Sequence, residues 1–389
     1  MPGLSSRVKS LVLPPFDVLN QKAAALRRSG APVISLGQAL PGFPPPPSAL
    51  EAARRALTDP DTHRYSPDAG LLSLREALRE KLAADLHIDA TPDGVIVTAG
   101  GNQAFMLAAM TVVDSGDEVV LTAPYFVNHE MALRSIGATP VEAPLDQAAG
   151  FRARWSDIVP HLTTRTRAVV LCTPSNPTGA VIAADDLAVM VRELSSRGIV
   201  LICDETYLHF IFDGRHASAA SMPHWRENVI VVGTFSKSFA MTGWRVGYLL
   251  ADPRTCDEAI KIQDAMIICA PVVAQIAVEA AIREEWNYMG SFHGELLRRR
   301  SALADGLAAI PGLTWSRTAG GIFAFVQVEN CRDSRTLAAA ILDRAHVVTI
   351  PGAAFGRSGE GFLRLSYGAA SVEELTEACG RLRRFFARR

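Results

Sequence analysis

Lysine is scarce in this chain: of 39 basic residues only five are lysine, at positions 9, 22, 81, 237 and 261. The 389 residues also lack a CxxC pair, a GxGxxG turn, an internal repeat and any apolar run of membrane-spanning length. Each absence excludes something. The six cysteines, at 172, 203, 256, 269, 331 and 379, are scattered, so neither a metal site nor a disulfide framework is expected. Cys172 and Cys203 fall inside apolar strand-like runs, where a thiol packs as a small core residue, and a reducing cytoplasm fits. Without GxGxxG, a dinucleotide-dependent dehydrogenase loses its main signature. The formal net charge is −1, and the longest stretch rich in basic residues is the tail 381–389. That tail alternates with Leu382, Phe385 and Phe386 and reads as the last turns of an amphipathic helix, so nucleic acid is not an expected partner. No apolar stretch precedes a small-residue cleavage site, so neither a membrane nor an export signal is expected.

What is present is half apolar, with 20% charged residues, as in a compact enzyme, and long enough for two domains. Residues 1–31 read as an arm, with a Pro-rich start and a helical pattern over 17–28 closed by Gly30. A short strand at 33–36 leads into a Pro-rich loop at 37–47, where regular structure stops. Helical periods then appear at 48–57, 73–86, 102–113 and 185–196. Strand candidates are 94–97, 118–122, 168–172, 199–203 and 229–232. Strands of continuous Val/Ile/Leu character, with amphipathic helices between several of them, predict a mostly parallel sheet buried on both faces. Beyond about 280 the pattern predicts a smaller α/β unit. It has a long helical stretch over 285–309, a helix at 334–345, strands at 321–328 and 362–366, and a Ser371/Glu374 capping box opening the last helix. The expected division is 1–47 (arm and small-domain segment), 48–279 (large domain) and 280–389 (small C-terminal domain).

Polar residues stand where four of these strands end, and ligands of such sheets bind at the carboxyl ends of the strands. Gly100-Gly101-Asn102 separates a strand from a helix, which suits a phosphate as well as it suits a plain tight turn. Asn176-Pro177-Thr178-Gly179 is a turn by composition. Asp204-Glu205-Thr206-Tyr207 puts a carboxylate at the end of an apolar strand, where it either caps a helix or meets a cation. Lys237 follows the apolar run 229–232 and small hydroxyl residues; burial there would lower its pKa and make it a nucleophile, the bland alternative being a snorkelling loop lysine.

Together these pieces resemble the fold-type I pyridoxal-phosphate enzymes, specifically the class I/II aminotransferases. The resemblance runs over nearly the whole chain: the 65–70 stretch followed by LREAL, then TAGGNQA, APY, NPTG, DETY, SKSFAMTGWRVGY and FLRLSYG. It implies the aspartate aminotransferase-like α/β fold, a large domain with a mostly parallel sheet plus a smaller α/β domain. It also implies pyridoxal 5'-phosphate as cofactor, and ping-pong transfer of the amino group of an L-amino acid to a 2-oxo acid through an internal aldimine. By the same resemblance Lys237 would carry the cofactor and move the proton. Asp204 would pair with the pyridinium nitrogen, Asn176 and Tyr207 would bind the phenolic oxygen, and Tyr125 would stack on the ring. Gly100, Gly101, Asn102, Ser236 and Arg245 would form the phosphate end, with Tyr65 reaching in from the neighbouring subunit of a homodimer. Arg364 would take the substrate α-carboxylate in a bidentate fork, with Ala39, Asn176 and Tyr125 beside the substrate.

The chain departs from the family pattern in two places. Where members commonly carry GxPDF, it has Ala39-Leu40-Pro41-Gly42-Phe43; and where some acidic-substrate members carry a lysine, it has Asn102. Both shift the expected donor toward neutral, aromatic or sulfur-containing amino acids, and GQALPGFPPP leans toward the kynurenine/glutamine transaminase branch. The alternative is other chemistry on the same fold: β-elimination, decarboxylation or cyclisation. A cofactor-binding transcription factor of the same fold would need a winged-helix domain before Gly37, where only the arm stands. Phe16 and the Pro-rich loop are expected to close over the site when substrate binds.

Overall fold

The computed structural model describes residues 3–388; the final arginine of the basic tail, Arg389, lies outside them. In chain order the strands are β1 (Ile34–Ser35), β2 (Val95–Thr98), β3 (Glu118–Ala123), β4 (Thr139–Pro144), β5 (Thr166–Cys172), β6 (Val200–Asp204), β7 (Val229–Thr234) and β8 (Gly247–Leu250). They are followed by β9 (Leu313–Thr314), β10 (Phe323–Val328), β11 (Val347–Val348), β12 (Ile350–Pro351) and β13 (Phe362–Ser366).

Seven strands make the large sheet, in the order β2-β8-β7-β6-β5-β3-β4. All neighbouring pairs from β7 to β4 are parallel, and β8 alone runs antiparallel, between β7 and β2. The period-two geometry of a strand divides the apolar residues between two cores. Val229 and Val231 enter the core shared with helices Leu72–Leu86, Ala184–Ser195 and Val272–Glu285. Ile230 and Val232 enter the opposite core, with helices Gly101–Val112 and Pro253–Ile267. A sheet covered on both faces explains why its strands read as continuous apolar runs.

β4 had no sequence signal. It contains Pro140 and Pro144 and pairs with β3 alone, and only an edge strand tolerates the missing N–H donors. The helical stretch expected over 285–309 is interrupted: helix Val272–Glu285 ends, a 3₁₀ turn covers Tyr288–Phe292, and helix His293–Ala308 follows. Gly290 closes that turn by donating its N–H to Asn287 O at 2.9 Å.

The second sheet is antiparallel, in the order β12-β13-β10-β9, and packs against helices His293–Ala308, Ser334–Ala345 and Val372–Phe386. The expected capping box opens the last of these: Glu374 N–H donates to Ser371 Oγ at 3.2 Å, and Ser371 N–H to Glu374 Oε2 at 2.9 Å. β1 pairs in parallel with β11, which ties the segment before the Pro-rich loop to this second unit. Ile34, Leu36 and Phe43 enter its core, so chain from both ends builds one hydrophobic cluster.

Candidate active site

β5, β6 and β7 lie side by side, with Cys172 opposite Asp204 and Asp204 opposite Val232 in register. Their carboxyl ends therefore open at one level, beside the N-terminus of helix Gly101–Val112. A cavity of about 360 Å³ lies there, and ten residues singled out from the sequence line it: Ala39, Gly101, Asn102, Asn176, Asp204, Tyr207, Ser236, Lys237, Arg245 and Arg364. They span the chain, and the fold gathers them.

Lys237 lies in a single helical turn, Phe235–Ser238, directly after β7. Thr234 caps that turn, accepting from Ser236 N–H at 3.2 Å and donating to Val246 O at 3.0 Å. Lys237 Nζ donates to the backbone carbonyl of Ala39 at 2.7 Å. Burial, followed by the positive fields of Arg364 and Arg245, lowers its pKa to about 8. Asp204 is buried at the end of β6. Burial alone would raise its pKa, but His129 Nε2 lies 3.0 Å from Oδ2 and Thr206 N–H donates to Oδ1 at 2.9 Å, and together these hold it below the usual carboxylate value.

Arg364 is buried on β13. Its guanidinium donates to Asn176 Oδ1 at 2.8 Å and to Gly37 O, and sits 4.8–5.3 Å from the ring centroids of Phe323, Phe355 and Phe16. Its Nε is buried without a partner among the described residues, and burial lowers its pKa to about 10. Tyr207 is also buried, and burial pushes its phenol up. The opposite end of the cavity is built for an anion. Helix Gly101–Val112 starts there, leaving first-turn N–H groups without intrahelical partners, and Ser236, Thr234 and Arg245 surround it. Arg245 adopts a left-handed backbone (φ 57°), from which its guanidinium donates to Ala99 O at 3.1 Å and Thr242 O at 2.9 Å. Gly100, at φ 87°, lies against that guanidinium, which a side chain there would strike. Gly100 thus shapes the cradle from behind.

Two expected site residues stand elsewhere. Tyr125 does not face the cavity. Its N–H donates to Phe355 O at 3.1 Å, and its hydroxyl is shared between Glu130 Oε2 (3.0 Å) and Glu142 Oε1 (3.2 Å), which turns the ring away. The next residue, Phe126, lines the cavity instead, in edge contact with His129 at 5.4 Å. The aromatic of the Ala123–Phe126 stretch that faces the cavity is therefore one position later than expected. Tyr65 is 78% exposed and lies away from the cavity of its own chain. Two residues were missed altogether. His129 stacks on Phe105 with ring centroids 4.1 Å apart and holds Asp204, and a lone histidine in a mixed helix such as Val127–Ser135 carries no signal of its own. Thr234 was read only as part of a strand end.

A lysine amine of lowered pKa, a buried carboxylate, a buried arginine with an unpartnered N–H and an anion cradle fit pyridoxal 5'-phosphate with a carboxylate-bearing substrate. Similarities to known proteins agree. The sequence profile of the family "Aminotransferase class I and II" matches residues 31–382. The chain is 34% identical over 390 residues to the "Probable aspartate/prephenate aminotransferase" of Aquifex aeolicus, covering 98% of each. It is 34% identical over 355 residues to "Aromatic-amino-acid aminotransferase 2" of Thermococcus litoralis, covering 90% of each. Its fold matches the aspartate aminotransferase from Thermus thermophilus solved with maleate, with a TM-score of 0.93 and 33% identity, over 99% of this chain and all of the other.

Proposed function

Since the chain belongs to the class I and II aminotransferases, enzymes that transfer amino groups with pyridoxal 5'-phosphate, we propose that each residue of this cleft has a definite part in that reaction. Lys237 would anchor the cofactor, and its Nζ would take up and return the proton at substrate Cα. The observation that carries this is the Lys237 amine itself: desolvated, with a pKa near 8, it is poised for proton transfer near neutral pH. When bound, the cofactor supplies an electron sink that makes the substrate Cα–H acidic.

Asp204, kept ionised by His129 and Thr206, would pair with the pyridine nitrogen. Asn176 and Tyr207 would hold the phenolic oxygen, and Phe126, which lines the cavity where Tyr125 was expected to, would serve the ring face. Backbone N–H groups of Gly101 and Asn102, with Ser236, Thr234 and Arg245, take the phosphate. Arg364 receives the substrate α-carboxylate, to which its otherwise unpartnered Nε–H is available, and three rings keep its guanidinium dry and fixed. Among the described residues of this chain that line the cavity, the Lys237, Arg245 and Arg364 cations are thereby committed, and none remains for a side-chain carboxylate. This supports a neutral, aromatic or sulfur-containing donor.

We further propose a homodimer in which Tyr65 completes the neighbouring phosphate site, and a division into 1–47 with 280–389 against 48–279. A reducing cytoplasm agrees with the six free cysteines, and no described helix is long and apolar enough to cross a membrane.

A half-reaction screen tests the assignment. Holoenzyme is mixed with each common L-amino acid without a keto acid, and the cofactor spectrum is followed alongside product mass. Conversion to the amine form of the cofactor with release of the matching keto acid is expected. Ammonia, carbon dioxide or a cyclised product without that conversion would overturn it.

A further inference from the structure

Once the cofactor and carboxylate groups are assigned, part of the cavity lining is still without a role. It comprises Asp17 and Asn20 of helix Phe16–Arg28, Gln38 on the loop after β1, Asn128, and the side chain of Asn102, of which only the backbone is assigned. These are the groups left for the substrate's own side chain. Four of the five carry carboxamides and one a carboxylate; none is a cation.

Asp17 is exposed where it borders the cavity and makes no hydrogen bond or ion pair among the described residues. Solvent, and the dipole at the first turn of its helix, make a carboxylate tolerable there. The cavity it borders has every cation engaged elsewhere. Lys237 donates to Ala39 O, Arg245 to Ala99 O and Thr242 O, and Arg364 to Asn176 and Gly37 O. An incoming side-chain carboxylate would meet an unneutralised like charge, whereas a carboxamide of the same shape would meet donors and acceptors that match it. Specificity built by a repulsive element discriminates isosteres that shape alone passes equally.

We propose that Asp17 is the specificity-determining residue of this enzyme: it excludes amino acids with side-chain carboxylates and favours their amide counterparts. The proposal rests on the assignment of Arg364 and Lys237 made above.

The test is the half-reaction of the holoenzyme with two matched pairs, glutamine against glutamate and asparagine against aspartate, each normalised to alanine, which has no side chain to reach the wall. The wild-type enzyme is expected to prefer each amide by roughly tenfold in kcat/KM, a like-charge effect partly screened by water. Asp17→Asn should remove most of that preference through a lower KM for the acids, while Asp17→Glu should retain it. Added salt should weaken it in the wild-type enzyme and in Asp17→Glu, but not change the ratio in Asp17→Asn. Equal use of acids and amides by the wild-type enzyme, or a ratio unchanged in Asp17→Asn, would overturn the proposal and leave the site assignment standing. No conversion of alanine or any other amino acid would overturn the site assignment itself.

Discussion

A lysine amine enclosed by a carbonyl, two arginines and apolar chain is costly before the cofactor arrives. Its pKa falls from 10.5 to about 8, so below pH 8 the cofactor-free chain bears a penalty of about 3 kcal/mol for keeping the ammonium buried. The unfolded chain binds the extra proton between pH 8 and 10.5, so this penalty is relieved as pH rises through that window. Lys237→Met should therefore raise the denaturation midpoint of the apoprotein at pH 7 and lose that advantage by pH 10.5. The same change in the holoenzyme should cut kcat by 10⁴-fold or more and leave no cofactor fixable to the chain by borohydride. His129 offers a second test. His129→Phe keeps a ring against Phe105 but removes the hydrogen bond to Asp204. We expect kcat to fall tenfold to a hundredfold and the acidic limb of the pH profile to move upward, because the carboxylate then takes up a proton more readily. Neither limb moving would show that His129 serves packing alone.

At the scale of elements, the loop that follows β1 explains one departure from the family pattern. A Cβ on Gly42 would stand 2.7 Å from Gly368 O and 2.8 Å from Ala369 Cα, backbone that cannot swing aside. The aspartate common at this place does not fit here: Gly42→Asp should destabilise the protein by about 1–3 kcal/mol, read as a lower denaturant midpoint. The arm carries another expectation. Phe16 already lies over the Arg364 guanidinium, so a bound substrate analogue should slow proteolysis within residues 3–31; equal cleavage with and without it would count against closure. The elements also show which signals a sequence carries. β5, β6 and β7 were legible because burial on both faces requires unbroken apolar runs; Lys237 and Asp204 stood out as polar groups ending such runs, but their roles and that of Asn176, a turn by composition, were legible only through the family resemblance. β4 was invisible because edge strands admit proline. Phe126 was confused with Tyr125 because adjacent residues on a short irregular stretch give no periodicity to say which faces inward. His129 was hidden because its partner, Asp204, is 75 residues away.

For the whole molecule, Tyr65 decides whether one chain suffices. It is a large aromatic, 78% exposed, on one of the stretches that carry the family resemblance, yet it does not line its own cleft. If a second copy brings it to the phosphate, dilution below the dimer dissociation constant should release cofactor, and Tyr65→Phe should raise the cofactor dissociation constant without changing the mass measured by light scattering. A monomer that holds cofactor as tightly as the wild-type protein at high concentration would refute the shared site.

The contact from Arg364 to Gly37 joins positions 327 residues apart. Asp204, Ser236, Lys237 and Arg245 are all synthesised before residue 250, but the carboxylate end cannot exist until β13 has left the ribosome. A growing chain can thus gain the parts that hold the cofactor well before the parts that hold a substrate. During that interval the newborn chain would carry a reactive amine with no carboxylate end to present a substrate to it.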